Sequence, residues 1–143
     1  MFFIADDKTS AEASKKASTV NKKILVADDD PAILDAMSIM LEESGYDVET
    51  TVDGAVAQNM SQTIKTNLPD LLLLDIRMSG MDGGKICQHL KSAKSTKHIP
   101  VILVSANKDI EQIALACGAD SYIPKPFQMS HLLSLVDKYI NKL

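Results

Sequence analysis

Leu71-Leu72-Leu73-Leu74-Asp75 is the stretch on which the reading of this chain turns. Four consecutive leucines read as a strand with both faces buried, the condition of a strand inside a parallel sheet. A carboxylate closes the run. At the carboxyl end of such a strand it stands on the edge where open parallel sheets bind ligands. Buried and unpaired, it would be strongly destabilising, so a cation or other partners are expected beside it. Met78, Gly80, Asp82 and Gly83 follow as a flexible turn into a helix.

Working back toward the N-terminus, Ile24-Leu25-Val26-Ala27 is a short β-favouring run that ends in Asp28-Asp29-Asp30-Pro31. Asp30 and Pro31 read as the N-cap and first residue of a helix, where the missing proline N–H costs nothing. Asp28 and Asp29 are left without that explanation. The first helix carries Ile33, Leu34, Met37, Met40 and Leu41 at helical spacing and stops at Gly45. Asp47–Thr51 alternates as a second strand. A second helix is expected from about Ala55 to Thr66, with Val56, Met60 and Ile64 inward, although its polar face makes it the weakest by pattern.

Beyond the leucine run, a third helix begins near Asp82-Gly83 and turns Ile86, Cys87 and Leu90 inward; Lys91, Lys94 and Lys97 make its end basic. Ile99–Val104 is a fourth strand, ending in Ser105. A fourth helix spans about Asp109 to Ala116, with Cys117 inward and Gly118 as its stop. Ser121–Pro124 is a fifth strand, followed by Lys125-Pro126-Phe127 and a fifth helix from about Met129 to Asn141. Five strands alternating with five helices over short connections predict one α/β domain, a parallel sheet with helices on both faces.

The 143 residues suit a single domain with a real core. A net charge of -4 argues against nucleic acid binding by bulk charge. No apolar run approaches a membrane span, and Met1–Ala5 runs into Asp6 and Asp7 without the basic start of a signal peptide. Cys87 and Cys117 have neither CxxC nor His-Cys spacing and read as buried thiols, which fits a cytoplasmic location. Residues 1–22 read as a flexible N-terminal extension and residues 23–143 as the domain. A capture peptide at Phe2-Phe3-Ile4 is an alternative role for that tail.

In a parallel sheet Asp28, Asp29, Asp75, Ser105 and Lys125 share the carboxyl edge. Three carboxylates that close repel one another unless a cation intervenes. Oxygen-only donors suit a hard ion, Mg2+ foremost, and the absence of His and Cys argues against zinc. Such a set fits phosphoryl transfer to a carboxylate: a metal and a lysine take phosphoryl oxygens and a hydroxyl donates to another. Taken singly each residue has a plainer reading, as helix cap, loop carboxylate, strand-end serine or surface lysine. Their shared register carries the weight.

The segments ILVADDDP (24–31), LLLLDIRMSGMDG (71–83), VILVSA (101–106) and GADSYIPKPF (118–127) resemble those of a response-regulator receiver domain of two-component signalling. The resemblance covers residues 23 to 143. It implies a flavodoxin-like (βα)5 fold with strand order 2-1-3-4-5. It implies Asp75 as phosphoacceptor; Asp28, Asp29, Asp75 and the Arg77 backbone carbonyl as Mg2+ ligands; Ser105 and Lys125 as phosphoryl contacts. It implies Tyr122 as an aromatic switch moving with Ser105, and a cis Lys125-Pro126 bond. It also implies a histidine kinase or phosphotransfer protein as donor, and a protein target at the face of helix 4, strand 5 and helix 5. Direct contact with nucleic acid or membrane is not expected, while a phosphorylation-dependent homodimer is compatible with the pattern. Phosphorylation and dephosphorylation of Asp75 would be self-catalysed, without making the chain a metabolic enzyme.

Ser79 departs from the family's usual proline, and the interval from Ser105 to Lys125 is about two residues short, which points to a trimmed fourth helix or loop. Because the fifth helix ends the chain, a stand-alone regulator acting by protein contact is expected. The alternatives are a receiver excised from a hybrid kinase or larger regulator, an aspartyl phosphohydrolase, and an unphosphorylated scaffold. Arg77, where a phosphohydrolase wants a second acid, weighs against the phosphohydrolase, and the complete residue set against the scaffold.

Overall fold

The computed structural model describes residues 21–62, 68–78 and 80–141. Ser79, the end of the expected second helix, and residues 1–20 of the expected extension lie outside them. The elements run β1 (Lys23–Ala27), α1 (Pro31–Glu43), β2 (Asp47–Thr51), α2 (Gly54–Gln58), β3 (Leu71–Leu74), α3 (Gly83–Ser92), β4 (Val101–Ser105), α4 (Ile110–Cys117), β5 (Ser121–Pro124) and α5 (Met129–Ile140). The five strands form one parallel sheet in the order β2-β1-β3-β4-β5. This is the doubly wound order expected from the sequence.

The leucine run sits in the middle of the sheet, and all four of its side chains are buried. Their alternation divides the interior in two. Leu72 and Leu74 join Leu25, Ala27, Ile86, Leu90 and Leu103 under α2, α3 and α4. Leu71 and Leu73 join Ile24, Val26, Leu34, Met37 and Val136 under α1 and α5. Each buried leucine contributes about 1.5–3 kcal/mol relative to exposure.

Local signals place the helices. The Asp30 side chain accepts the Ala32 N–H at 3.0 Å, and Pro31 occupies the first turn of α1. Asp82 caps α3 through the Gly84 N–H at 2.8 Å. Gly118 ends α4 at φ 82, a left-handed cap that glycine adopts without steric cost.

Two expectations differ from the structure. Val56, expected to face inward, is 48% exposed. The α-helix lasts only from Gly54 to Gln58 before tightening into a 3-10 turn at Asn59–Gln62, so the four-residue stripe loses its phase. Gly54 and Ala57 turn to the core in its place. The second difference follows Asp75: Arg77–Met78 pairs with Met81–Asp82 in a small antiparallel ribbon where a flexible turn was expected.

Candidate functional site

The polar residues that end β1, β3 and β4 meet at the carboxyl edge of the sheet. Ladder hydrogen bonds run one residue past each strand. The Asp28 N–H donates to the Thr51 carbonyl at 3.1 Å, and the Asp75 N–H to the Ala27 carbonyl at 2.9 Å. Both carboxylates are thereby fixed to the sheet. The Ser105 carbonyl accepts the Lys125 N–H at 2.9 Å, which brings the lysine across from the far edge. The Lys125-Pro126 peptide is cis, as expected.

Lys125 is the hinge of the arrangement. Its Nζ donates to Asp28 Oδ2 at 2.7 Å and to Asp75 Oδ2 at 3.0 Å. The other oxygen of Asp28 accepts the Asp30 N–H at 2.9 Å. Asp75 Oδ1 faces the Arg77 N–H at 3.4 Å, a long and weak contact. Asp29 is exposed beside them, and Asp28, Asp29 and Asp75 can each bring a carboxylate oxygen within 4.8 Å of the others. Ser105 Oγ accepts the Asn107 N–H at 3.1 Å, which leaves its own proton free to donate. An open cleft of about 370 Å3 is lined by Asp29, Asp75, Arg77, Ser105, Ala106, Asn107 and Lys125.

Among the described residues the buried polar side chains are Asp28, Asp75, Thr96 and Ser105. Asp75 and Ser105 line this cleft and Asp28 adjoins it through Lys125, and that concentration marks it as a site. Burial pushes the Asp28 carboxyl up, and the Asp75 charge adds to it; Lys125 and the Asp30 N–H oppose without prevailing. Burial alone would lower the Lys125 ammonium. Its hydrogen bonds to Asp28 and Asp75 outweigh that and hold it up, so it stays charged. Three carboxylates facing one ammonium leave the cleft short of positive charge.

The donor set is oxygen only and carries more than one carboxylate, which fits a small hard divalent cation. Such a cation would complete the neutralisation that Lys125 begins.

Tyr122 is half-buried on β5, paired in register with Leu103, and packs against the core under α3 and α4. The geometry does not bring it into the cleft. Asn107 and Gly83 complete the arrangement, and only the close approach at Gly83 escaped sequence reasoning. Asn107 lines the cleft, holds Ser105 through its N–H, and starts the turn into α4 by accepting the Asp109 N–H at 2.8 Å. Gly83 stands directly behind the loop: a Cβ there would overlap the Asp75 carbonyl oxygen and meet Ile76 Cα at 2.7 Å. The glycine in GMDGG was the available signal for that close approach.

Comparison with known proteins agrees with this geometry. The family model described as the response regulator receiver domain matches residues 24–137. A DNA-binding dual master transcriptional regulator from Synechocystis, RpaA, is 40% identical over 116 residues, covering 80% of this chain and 47% of that protein. The chain spans about half the length of the curated relatives it matches. A CheY-like receiver domain protein from Methanospirillum hungatei superposes with a TM-score of 0.73 at 27% identity, covering 85% of this chain and 94% of that one. The receiver domain of the sensor histidine kinase PA1611 from Pseudomonas aeruginosa, with a magnesium ion coordinated in its active-site cleft, shares the fold. Its TM-score is 0.76 at 24% identity, covering 86% and 100% of the two chains. A regular parallel sheet with its acidic cleft, matched over most of its length to one family, settles the classification: this chain belongs to the response regulator receiver domain family of two-component signalling.

Proposed function

We propose that Asp75 accepts a phosphoryl group from a histidine kinase, a phosphotransfer protein or a small acyl phosphate. The observation that carries this reading is the single ammonium of Lys125 held between the buried carboxylates of Asp28 and Asp75. In the step itself a free Asp75 oxygen bonds to phosphorus while the P–N bond of a phosphohistidine, or the P–O bond of an acyl phosphate, breaks. The leaving group departs with the bonding pair. Lys125 turns from Asp75 to a phosphoryl oxygen, and Ser105 donates its hydroxyl proton to another. Asp28, Asp29, Asp75 and the Arg77 backbone carbonyl would hold Mg2+, which would neutralise charge on the transferring group. The reaction is self-catalysed on Asp75, and the chain is not a turnover enzyme.

The signal then passes through Ser105 and Tyr122 to α4, β5 and α5. A protein target binds that face, where Leu115 is 77% exposed. A second copy of the chain is an alternative occupant. The net charge of -4 favours protein over nucleic acid as the direct contact of this domain. The described residues contain no helix long and apolar enough to cross a membrane, and the cytoplasm is the proposed location.

Intact mass after incubation with Mg2+ and acetyl phosphate tests the reading. Wild type is expected to gain one hydroxylamine-labile phosphoryl group, and Asp75→Asn none. Absence of labelling together with absence of Mg2+-dependent beryllofluoride binding would overturn it in favour of a scaffold.

A further inference from the structure

Cys87 and Cys117 lie 30 positions apart in the chain, yet α3 and α4 set them against each other. The Cys87 thiol donates to the Cys117 carbonyl at 3.5 Å. Both cysteines are free. Their exposures differ in a useful way. Cys87 is fully covered, whereas Cys117 is 7% exposed and lines a groove of about 570 Å3 between α3 and α4. Ile76, Arg77, Lys85 and Asn107 line the same groove, so Cys117 borders open space on the cleft side. Cys117 is also the last residue of α4, next to the left-handed Gly118, where a helix end adjusts with little loss. Its thiol hydrogen bond to the Ala114 carbonyl is long, at 3.7 Å.

We propose that Cys87 and Cys117 form a dithiol modification site, oxidised by hydrogen peroxide to an intramolecular disulfide that ties α3 to α4. In the first step the Cys117 thiolate attacks one peroxide oxygen; the O–O bond breaks, hydroxide leaves, and Cys117 becomes a sulfenic acid. In the second, Cys87 sulfur attacks the Cys117 sulfur, the S–O bond breaks, and water leaves with the Cys87 proton. The net change is two thiols and one peroxide to one disulfide and two waters. The groove assigns the roles: Cys117 meets the oxidant and Cys87 resolves. Burial, with the neighbouring Cys117, holds the Cys87 thiol protonated, so it does not react alone. The tie would join the helix that begins behind Asp75 to the helix on the proposed target face.

Intact mass after hydrogen peroxide, followed by denaturation and alkylation with N-ethylmaleimide, tests the site. Wild type is expected to lose about 2 Da and to take no maleimide until treated with dithiothreitol. Cys87→Ser should instead accumulate a sulfenic acid at Cys117, trapped by dimedone, and Cys117→Ser should keep an unmodified Cys87 thiol. Asp75→Asn should form the disulfide as wild type does, which separates this site from the phosphoacceptor reading. Wild type with both cysteines alkylated after oxidation, or a disulfide found only between chains, would overturn the proposal.

Discussion

Replacing Lys125 by methionine removes the ammonium and keeps most of the side-chain volume, so its effect reports on the charge. The ammonium bonds two carboxylates at 2.7 and 3.0 Å, and their side chains are only 3% and 11% exposed. Removing one partner of a buried ion pair costs about 3–5 kcal/mol. The open cleft and the 16% exposure of Lys125 reduce this through solvent screening. A second limit comes from protonation. Burial already raises Asp28, and as its ionised form is penalised further it takes up a proton, which limits the loss. The expected loss at pH 7 is therefore about 2–4 kcal/mol, read from urea unfolding as a lower midpoint at unchanged slope. The sign with pH follows. Asp28 is raised in the folded state, so its ionised form opposes folding above 3.8, and the opposition grows as pH rises toward the folded value. Loss of Lys125 raises Asp28 further, so the variant should recover part of its deficit at pH 5. Adding Asp28→Asn to Lys125→Met should recover more. A loss below about 0.5 kcal/mol at pH 7, or one equal at pH 5 and pH 7, would refute the reasoning.

Three further outcomes are expected. Gly83→Ala puts a Cβ against the Asp75 carbonyl and Ile76 Cα, neither of which can yield, so about 3 kcal/mol of stability and phosphoryl labelling should be lost together; retention of labelling at wild-type rate would show that the loop relaxes freely. Tyr46→Phe removes the hydroxyl bonded to Asp137 and should cost about 1 kcal/mol at pH 7. Burial and Asp137 raise the Tyr46 phenol, so wild-type stability is present below pH 10.0 and falls above it, where the unfolded phenol ionises first; chemical unfolding from pH 8 to 11 should show this component in wild type and not in the variant. Thr96→Val keeps the shape of a fully buried side chain but strips the hydroxyl that donates to the Leu90 carbonyl at 2.7 Å, and should lower stability by about 1–2 kcal/mol in thermal unfolding while leaving labelling unchanged.

Legibility in the sequence followed physical locality. Leu71–Leu74 announced the central strand because only an element covered on both faces spends four leucines in a row. Asp30-Pro31 announced α1 because capping is settled within three residues. The convergence of Asp28, Asp29, Asp75, Ser105 and Lys125 needed only the parallel topology, which brings strand ends to one edge. What the strand order does not specify was hidden. Nothing in Asp28-Asp29 says that the first is buried under Lys125 and the second exposed, because β1 alternation alone assigns faces and not depth. The ribbon at Arg77–Met78 and Met81–Asp82 is too short to carry a period of its own. Val56 failed because a helical stripe is meaningful only while the helix keeps its pitch. The meeting of Cys87 with Cys117 depends on how α3 lies against α4, a tertiary distance with no local signature.

The division of the interior by β3 has a consequence for how such a protein changes over time. Leu71 and Leu73 support one layer, Leu72 and Leu74 the other, and the packed sheet stands between them. Substitutions distant from each other and without shared neighbours add nearly independently. Repacking under α1 and α5 therefore leaves the layer beneath α3 and α4 largely undisturbed, and the reverse holds. The two helical coats can therefore diverge on separate schedules, around a carboxyl edge that neither revision needs to touch.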